Sequence, residues 1–218
     1  MERLSRTNTI RPPRGCENYV HLTYLQTRVL SIDVGIKHLS FCLIDFHNTL
    51  DTHTIEKWEL ISLNGKNIAE YTRDIVEKMR QYEFGLIDSV LIEQQVSRNT
   101  QMKVLSHVLQ TYFLCEQRIT NDKVIFMSAK RRFLTSNPTY NASVQNIKQH
   151  FGISDKMNRN EIKKLSVHIT RIKLEGRWLE YFQNHKKRDD LADSFLQALV
   201  WDIDRKEASY IDIDMNDI

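Results

Sequence analysis

Residues 28–46 read RVLSIDVGIKHLSFCLIDF. Two apolar runs, Arg28–Val34 and Leu39–Phe46, are separated by a short polar gap that opens with Gly35. That pattern predicts two buried strands closing as a hairpin, with Gly35 free to take a positive φ at the bend. Asp33 interrupts the first run. An unpaired carboxylate inside a buried strand costs several kcal/mol, so Asp33 calls for a counter-charge or a metal ion.

Working outward, His53–Ile61 alternates as a third strand, and Asn67–Tyr82 places Ile68, Tyr71, Ile75 and Met79 at helical spacing. Ile87–Ile92 is a short buried strand, Asn99–Arg118 an amphipathic helix, and Lys123–Met127 a fifth strand. Helical patterns then follow at Val144–Phe151, Asn160–Leu174 and Arg177–Phe182. A last helix begins near Asp189 and continues through Leu191, Phe195, Leu199 and Ile203. The order β-β-β-α-β-α-β, then helices, predicts an α/β fold. Its mixed five-stranded sheet has three antiparallel strands followed by parallel ones, with helices on both faces. Residues 1–27, with Arg3, Arg6, Arg11, Arg14 and a Pro12-Pro13 pair, read as a flexible basic tail. Residues 28–204 form one domain, and residues 205–218 an acidic tail.

The net charge of +3 hides an asymmetry, because Lys130–Arg188 alone holds 14 Lys/Arg against 4 Asp/Glu. Such a block is the electrostatic footprint of a nucleic-acid partner, although a solvated helix face carries similar charge. Lys130, Arg131, Arg132, Lys163, Lys164 and Arg171 are its candidate DNA contacts. No stretch reaches 18 uninterrupted apolar residues, which argues against a membrane span. Cys16, Cys42 and Cys115 have neither zinc nor redox spacing and read as reduced intracellular thiols.

Carboxylates gather where chemistry could use them. Asp33 ends the first strand, Glu93 directly follows the apolar residues 90–92, and Asp190 and Asp193 share one face near the start of the last helix. Hard divalent cations take several oxygen ligands, and paired cations stabilise both the attacking and the leaving oxygen of a phosphodiester. Each acid alone has a structural explanation, as a turn former, an ion-pair partner or a helix N-terminal acid.

The segments IDVGIKHLSFCLID (32–45), SVLIEQQ (89–95) and KKRDDLADSFLQAL (186–199) resemble the RuvC-like Holliday junction resolvases of the poxvirus and large DNA virus type, with fungal mitochondrial resolvases as cousins. The resemblance runs from about Arg28 to Ile203. It implies an RNase H-like fold, a homodimer, and Mg²⁺ with Mn²⁺ able to substitute, two ions per active site. Carried over position by position, the metal-binding acids are Asp33, Glu93, Asp190 and Asp193, with Asp189 a substitute for Asp190. An active-site lysine falls in IKKLSV, at Lys163 or Lys164. The stretch 130–150 is longer than the family pattern and reads as an insertion.

The resemblance further implies an endonuclease that resolves four-way junctions by paired symmetric nicks, in viral genome recombination and concatemer processing. It places the protein in the host cytoplasm or at a viral replication site rather than in a mitochondrion. Two other readings share most of these residues: an RNase H-like nuclease acting on RNA–DNA hybrid, and a non-catalytic junction-binding protein. An actin-like or sugar-kinase-like ATPase also opens on a D-x-G hairpin, but it needs a second Gly-rich loop and a longer chain than 218 residues with six glycines.

Overall fold

The structure, a computed structural model, describes residues 26–47, 52–95 and 99–216, with side chains to residue 208. Five strands, β1 (Gln26–Val34), β2 (His38–His47), β3 (His53–Ser62), β4 (Ser89–Gln94) and β5 (Val124–Ser128), form one sheet in the order β3-β2-β1-β4-β5. The pairs β1–β2 and β2–β3 are antiparallel, and β1–β4 and β4–β5 are parallel. The mixed topology expected from the sequence is therefore the one observed. The described residues form six helices, α1 (Ile68–Met79), α2 (Thr100–Cys115), α3 (Pro138–His150), α4 (Arg159–Lys173), α5 (Gly176–Asn184) and α6 (Arg188–Asn216).

Strand pleating sorts the residues onto two cores. Leu30, Ile32 and Val34 of β1, with Leu39, Phe41 and Leu43 of β2, pack against Ile75 and Met79 of α1 and Leu105, Leu109 and Phe113 of α2. Val29, Cys42, Ile44, Phe46 and Trp58 face the other way. They meet Leu165 and Ile169 of α4, Phe182 of α5, and Leu191, Phe195 and Leu196 of α6. The same alternation decides where the acids go. Asp33 lies on the side of Val29, and Glu93 on the side of Leu91, so both point toward α6. Parallel pairing runs to Ile32 opposite Ile92, which puts Asp33 and Glu93 one step beyond it, side by side.

The start of α6 is clamped to that face by buried polar contacts. Trp58 Nε1 donates to the Leu191 carbonyl and to Ser194 Oγ, each at 3.2 Å. Ser40 Oγ lies 2.8 Å from Ser194 Oγ. On its other side, Trp58 stacks on Phe182 at 5.5 Å between centroids. Side-chain caps from Asn67, Asn99, Asn137 and Asn158 begin α1 to α4, and Glu161 completes a capping box on α4.

Three sequence expectations need correction. Gly35 does not take a positive φ. A Cβ there would stand 2.4 Å from the His38 carbonyl oxygen, so the residue is needed for a close backbone approach. Helix α3 starts at Pro138, six residues before the apolar pattern shows it, because Asn137 and Pro138 supply a cap and a pre-set first turn. Helix α6 passes unbroken through residues 204–205 and continues to Asn216, where an acidic tail was expected. The basic tail falls almost wholly outside the described residues, β1 already beginning at Gln26. Among the described residues, no helix is long and apolar enough to cross a membrane. Cys42 and Cys115 are free thiols, one buried and one exposed, while Cys16 lies outside the described residues.

Candidate functional site

A cleft of about 510 Å³ opens at the carboxyl ends of β1 and β4, and Asp33, Glu93, Asp190 and Asp193 all line it. Two strands and one helix thus bring together four acids drawn from distant parts of the chain. Asp189 instead faces a neighbouring cleft. Its carboxylate is held by the Lys163 ammonium; burial pushes its pKa up, but the bond and charge of Lys163, a backbone hydrogen bond and the charge of Lys187 together keep it below the usual value.

Burial raises the Asp33 pKa well above the ordinary carboxylate range, and Glu93 and Asp193 push it the same way against the opposing pull of Arg132. Asp193 is pushed up to about 6, mainly by burial and partly by Glu93, with Arg132 opposing. Asp190 is raised by burial and by the charge of Asp189. Asp193 Oδ1 is buried without a well-formed hydrogen bond.

Arg132 was expected among the DNA-contacting cations, yet it turns inward, with 9% of its side chain exposed. The fold dictates this. Arg132 sits in a 3₁₀ turn, Ala129–Phe133, that leaves β5 beside Glu93. Its Nε donates to the Ala129 carbonyl at 3.0 Å, and Tyr140 Oη donates to the Arg132 carbonyl at 2.8 Å. Nη2 then reaches Glu93 Oε1 at 3.3 Å, and Nη1 pairs with Asp193 Oδ2. Lys130 and Arg131 of the same turn remain exposed, Arg131 pairing with Asp204 at 2.9 Å.

A second cleft, of about 700 Å³, is lined by Lys163, Lys164, His168, Arg171, Lys186 and Arg188. Phe151, half-exposed, stacks on His168 with centroids 3.7 Å apart. Lys163 lines both clefts and Lys164 only the basic one, so the structure separates two lysines that the sequence could not.

Two residues missed in the sequence also belong to the acid cleft. Arg159 lies one helical turn before Lys163, an i, i+4 spacing that was legible once Lys163 was singled out. Gln95 Nε2 spans from the Val34 carbonyl at 3.3 Å to Glu93 Oε2 at 3.4 Å, tying β4 to β1 at the site.

The donor set fits a hard divalent cation: four crowded carboxylates, one of whose buried oxygens, on Asp193, lacks a well-formed hydrogen bond. Among the described residues, no three ligating side chains already form a finished cage. The Arg132 guanidinium engages two of the four acids.

The fold agrees with solved resolvase structures. The yeast mitochondrial Holliday junction resolvase Ydc2 aligns with a TM-score of 0.57 at 20% identity, over 91% of this chain and 89% of its own. The Fowlpox virus resolvase, solved with its substrate Holliday junction DNA, aligns at 0.54 and 17% identity, over 84% of this chain and 98% of its own. No curated protein matches the chain. Residues 27–205 match the profile of the Poxvirus A22 protein family, a span that contains the sheet but for Gln26, both clefts and all four acids. The chain therefore belongs to the Poxvirus A22 protein family, the poxvirus branch of the Holliday junction resolvases.

Proposed function

We propose that the protein is a divalent-metal-dependent DNA endonuclease that resolves four-way junctions by paired, symmetric nicks. The observation that carries this reading is the shared wall of the two clefts. Asp33, Glu93, Asp190 and Asp193 line one, five lysines and arginines line the other, and Lys163 stands in both. A DNA backbone lying in the basic cleft would lead a phosphate toward the acids.

Asp33 and Asp193, with Glu93 and Asp190 flanking them, would hold Mg²⁺ or Mn²⁺, two ions per site. When bound, the ions supply an activated water and stabilise the leaving oxygen. Lys163, steadied by Asp189, neutralises charge on the phosphate beside them. Lys164, Arg171 and the exposed pair Lys130 and Arg131 contribute backbone affinity that carries no base specificity. The Fowlpox virus resolvase bound to junction DNA supports the choice of substrate. Recombination intermediates and concatemers of a replicating viral genome, at a cytoplasmic replication site, are the setting the family implies.

The test is cleavage of a synthetic four-way junction with Mg²⁺, with Mn²⁺ and with chelator, alongside linear duplex and RNA–DNA hybrid. Symmetric nicks in the junction, abolished by chelator, are expected. Asp33→Asn, Glu93→Gln, Asp190→Asn and Asp193→Asn should each lower the rate by a thousandfold or more (roughly 10³) while junction binding persists, as expected when electrostatic stabilisation of the transition state is removed. Full activity in the Asp33 or Glu93 variant, or preferential cleavage of hybrid, overturns the reading.

A further inference from the structure

Arg132 has no role in the function proposed above. It is buried, so it cannot reach a phosphate from the surface, and its fork ends on two acids of the cleft rather than one. Nη2 stands 3.3 Å from Glu93 Oε1, while Nη1 pairs with Asp193 Oδ2. Its placement is built in at three points: the 3₁₀ turn after β5, the Nε bond to Ala129, and the Tyr140 hydroxyl on its own carbonyl. A planar guanidinium suits this task, because its two Nη atoms address separate carboxylates in a fixed geometry.

We propose that Arg132 is the resident counter-cation of the acid centre, holding Glu93 and Asp193 in place before a divalent ion arrives and lowering the affinity of the centre for that ion. This rests on reading the four acids as metal ligands. The physical reason is Coulombic. A fixed positive charge a few ångströms from the ion's position opposes it, and the guanidinium occupies carboxylate oxygens that would otherwise ligate. The same charge offsets the burial of Asp33, Glu93 and Asp193, which like-charge crowding would otherwise destabilise. Weak loading of the free protein leaves charge to be balanced by the phosphate of bound DNA, so tight loading coincides with substrate.

Mn²⁺ binding to the full-length protein without DNA, read by electron paramagnetic resonance, tests this together with melting in chelator. Arg132→Met, uncharged and similar in length, should bind Mn²⁺ roughly tenfold tighter than wild type or better. It should melt lower in chelator and gain more from added Mn²⁺ than wild type does. Arg132→Lys should return the affinity toward wild type. If Arg132→Met does not fold, Arg132→Gln carries the same comparison. A purely structural arginine gives the opposite result, with looser metal binding in the variants. Wild-type binding that Asp33→Asn abolishes, with no tightening in any neutral Arg132 variant, overturns the inference and leaves the metal site standing. Wild-type and Arg132 variants that all bind no better than Asp33→Asn overturn the metal reading and this inference with it.

Discussion

The hydroxyls of Ser40 and Ser194 meet at 2.8 Å in the buried seam between β2 and α6, one residue away from the site acid Asp193. Ser194 also accepts from Trp58 Nε1 and donates to the Leu191 carbonyl at 3.0 Å. This network sets the axial position of the α6 start, and hence where Asp190 and Asp193 project. Ser194→Ala leaves Ser40 Oγ buried without its partner, which should destabilise the protein by about 1–3 kcal/mol. The cleavage rate should fall more than junction affinity, because the acids shift while the basic cleft does not. Denaturant melts and paired cleavage and gel-shift assays check it. An unchanged melting midpoint would refute the role of the network.

The raised acids make a prediction about pH. Asp193 sits at about 6 in the folded protein against an ordinary 3.8. Between those values, the metal-free native state keeps a proton that the unfolded chain has released, so this acid costs stability as pH rises through that window. Asp33, also raised, acts in the same direction. Comparing Asp193→Asn with wild type in chelator isolates the contribution. The variant should gain stability relative to wild type from about pH 4 to about pH 6, and the difference should be level above that. A difference that is flat over the whole range would remove the argument. Protons and metal compete for the same oxygens, so Mn²⁺ affinity of wild type should drop as pH falls below about 6.

Much of this site was readable from residues 28–46 and 89–95, because strand pleating is a strict period of two. Once Val29 and Leu91 are assigned to one face, Asp33 and Glu93 must join them. The spacing of Asp190 and Asp193 likewise fixes a common helix face. What stayed illegible was direction within irregular structure. Lys130, Arg131 and Arg132 are consecutive and alike in charge, and no periodicity says that a 3₁₀ turn sends the third inward while the first two stay out. The pair Lys163 and Lys164 posed the same difficulty, since adjacent residues on a helix differ by about 100° and only the packed partner settles which faces the cleft. At the C-terminus, acidic composition hid a helix. Charge density sets solubility, whereas the continuation of α6 is a local backbone preference.

Lys163 and Lys164 should separate in kinetics. Lys163 lines the acid cleft, so Lys163→Ala should cut the cleavage rate about 10- to 100-fold with a small effect on binding, as for removal of one charge facing the reacting phosphate. Lys164 faces only the basic cleft with Arg171. Lys164→Ala and Arg171→Ala should weaken junction binding and reduce the slope of log K against log salt by about 0.9 for each phosphate that is no longer neutralised. Single-turnover rates and binding at several salt concentrations distinguish the two patterns. Interchanged phenotypes would mean that DNA approaches the acids from another side.

Assembly is the remaining consequence of a single acid centre. Cutting a four-way junction into two clean duplexes needs nicks in two opposed strands, and the described residues carry one set of four acids. A two-fold dimer supplies a second centre with the symmetry of the substrate. Helix α2 buries Leu105, Leu109 and Phe113 against the sheet. Its other side is not used up. Val104, 41% exposed, lines an apolar groove between α1 and α2 with Val76, Val108 and Tyr112. We propose a second copy of the chain as the occupant of this groove, because paired nicks would call for a second acid centre. The protein should sediment at about twice its 25.9 kDa chain mass and make two symmetric cuts per junction. Val104→Glu places a charge on the exposed wall of the groove while leaving the buried side of α2 intact. It should raise the dimer dissociation constant tenfold or more (roughly 1.4 kcal/mol). Cleavage should then become concentration-dependent, with singly nicked junctions accumulating when enzyme is scarce. A wild-type monomer on the junction, or one cut per junction at saturating enzyme, would sink the dimer. A Val104→Glu protein that still sediments as a dimer would move the interface away from α2.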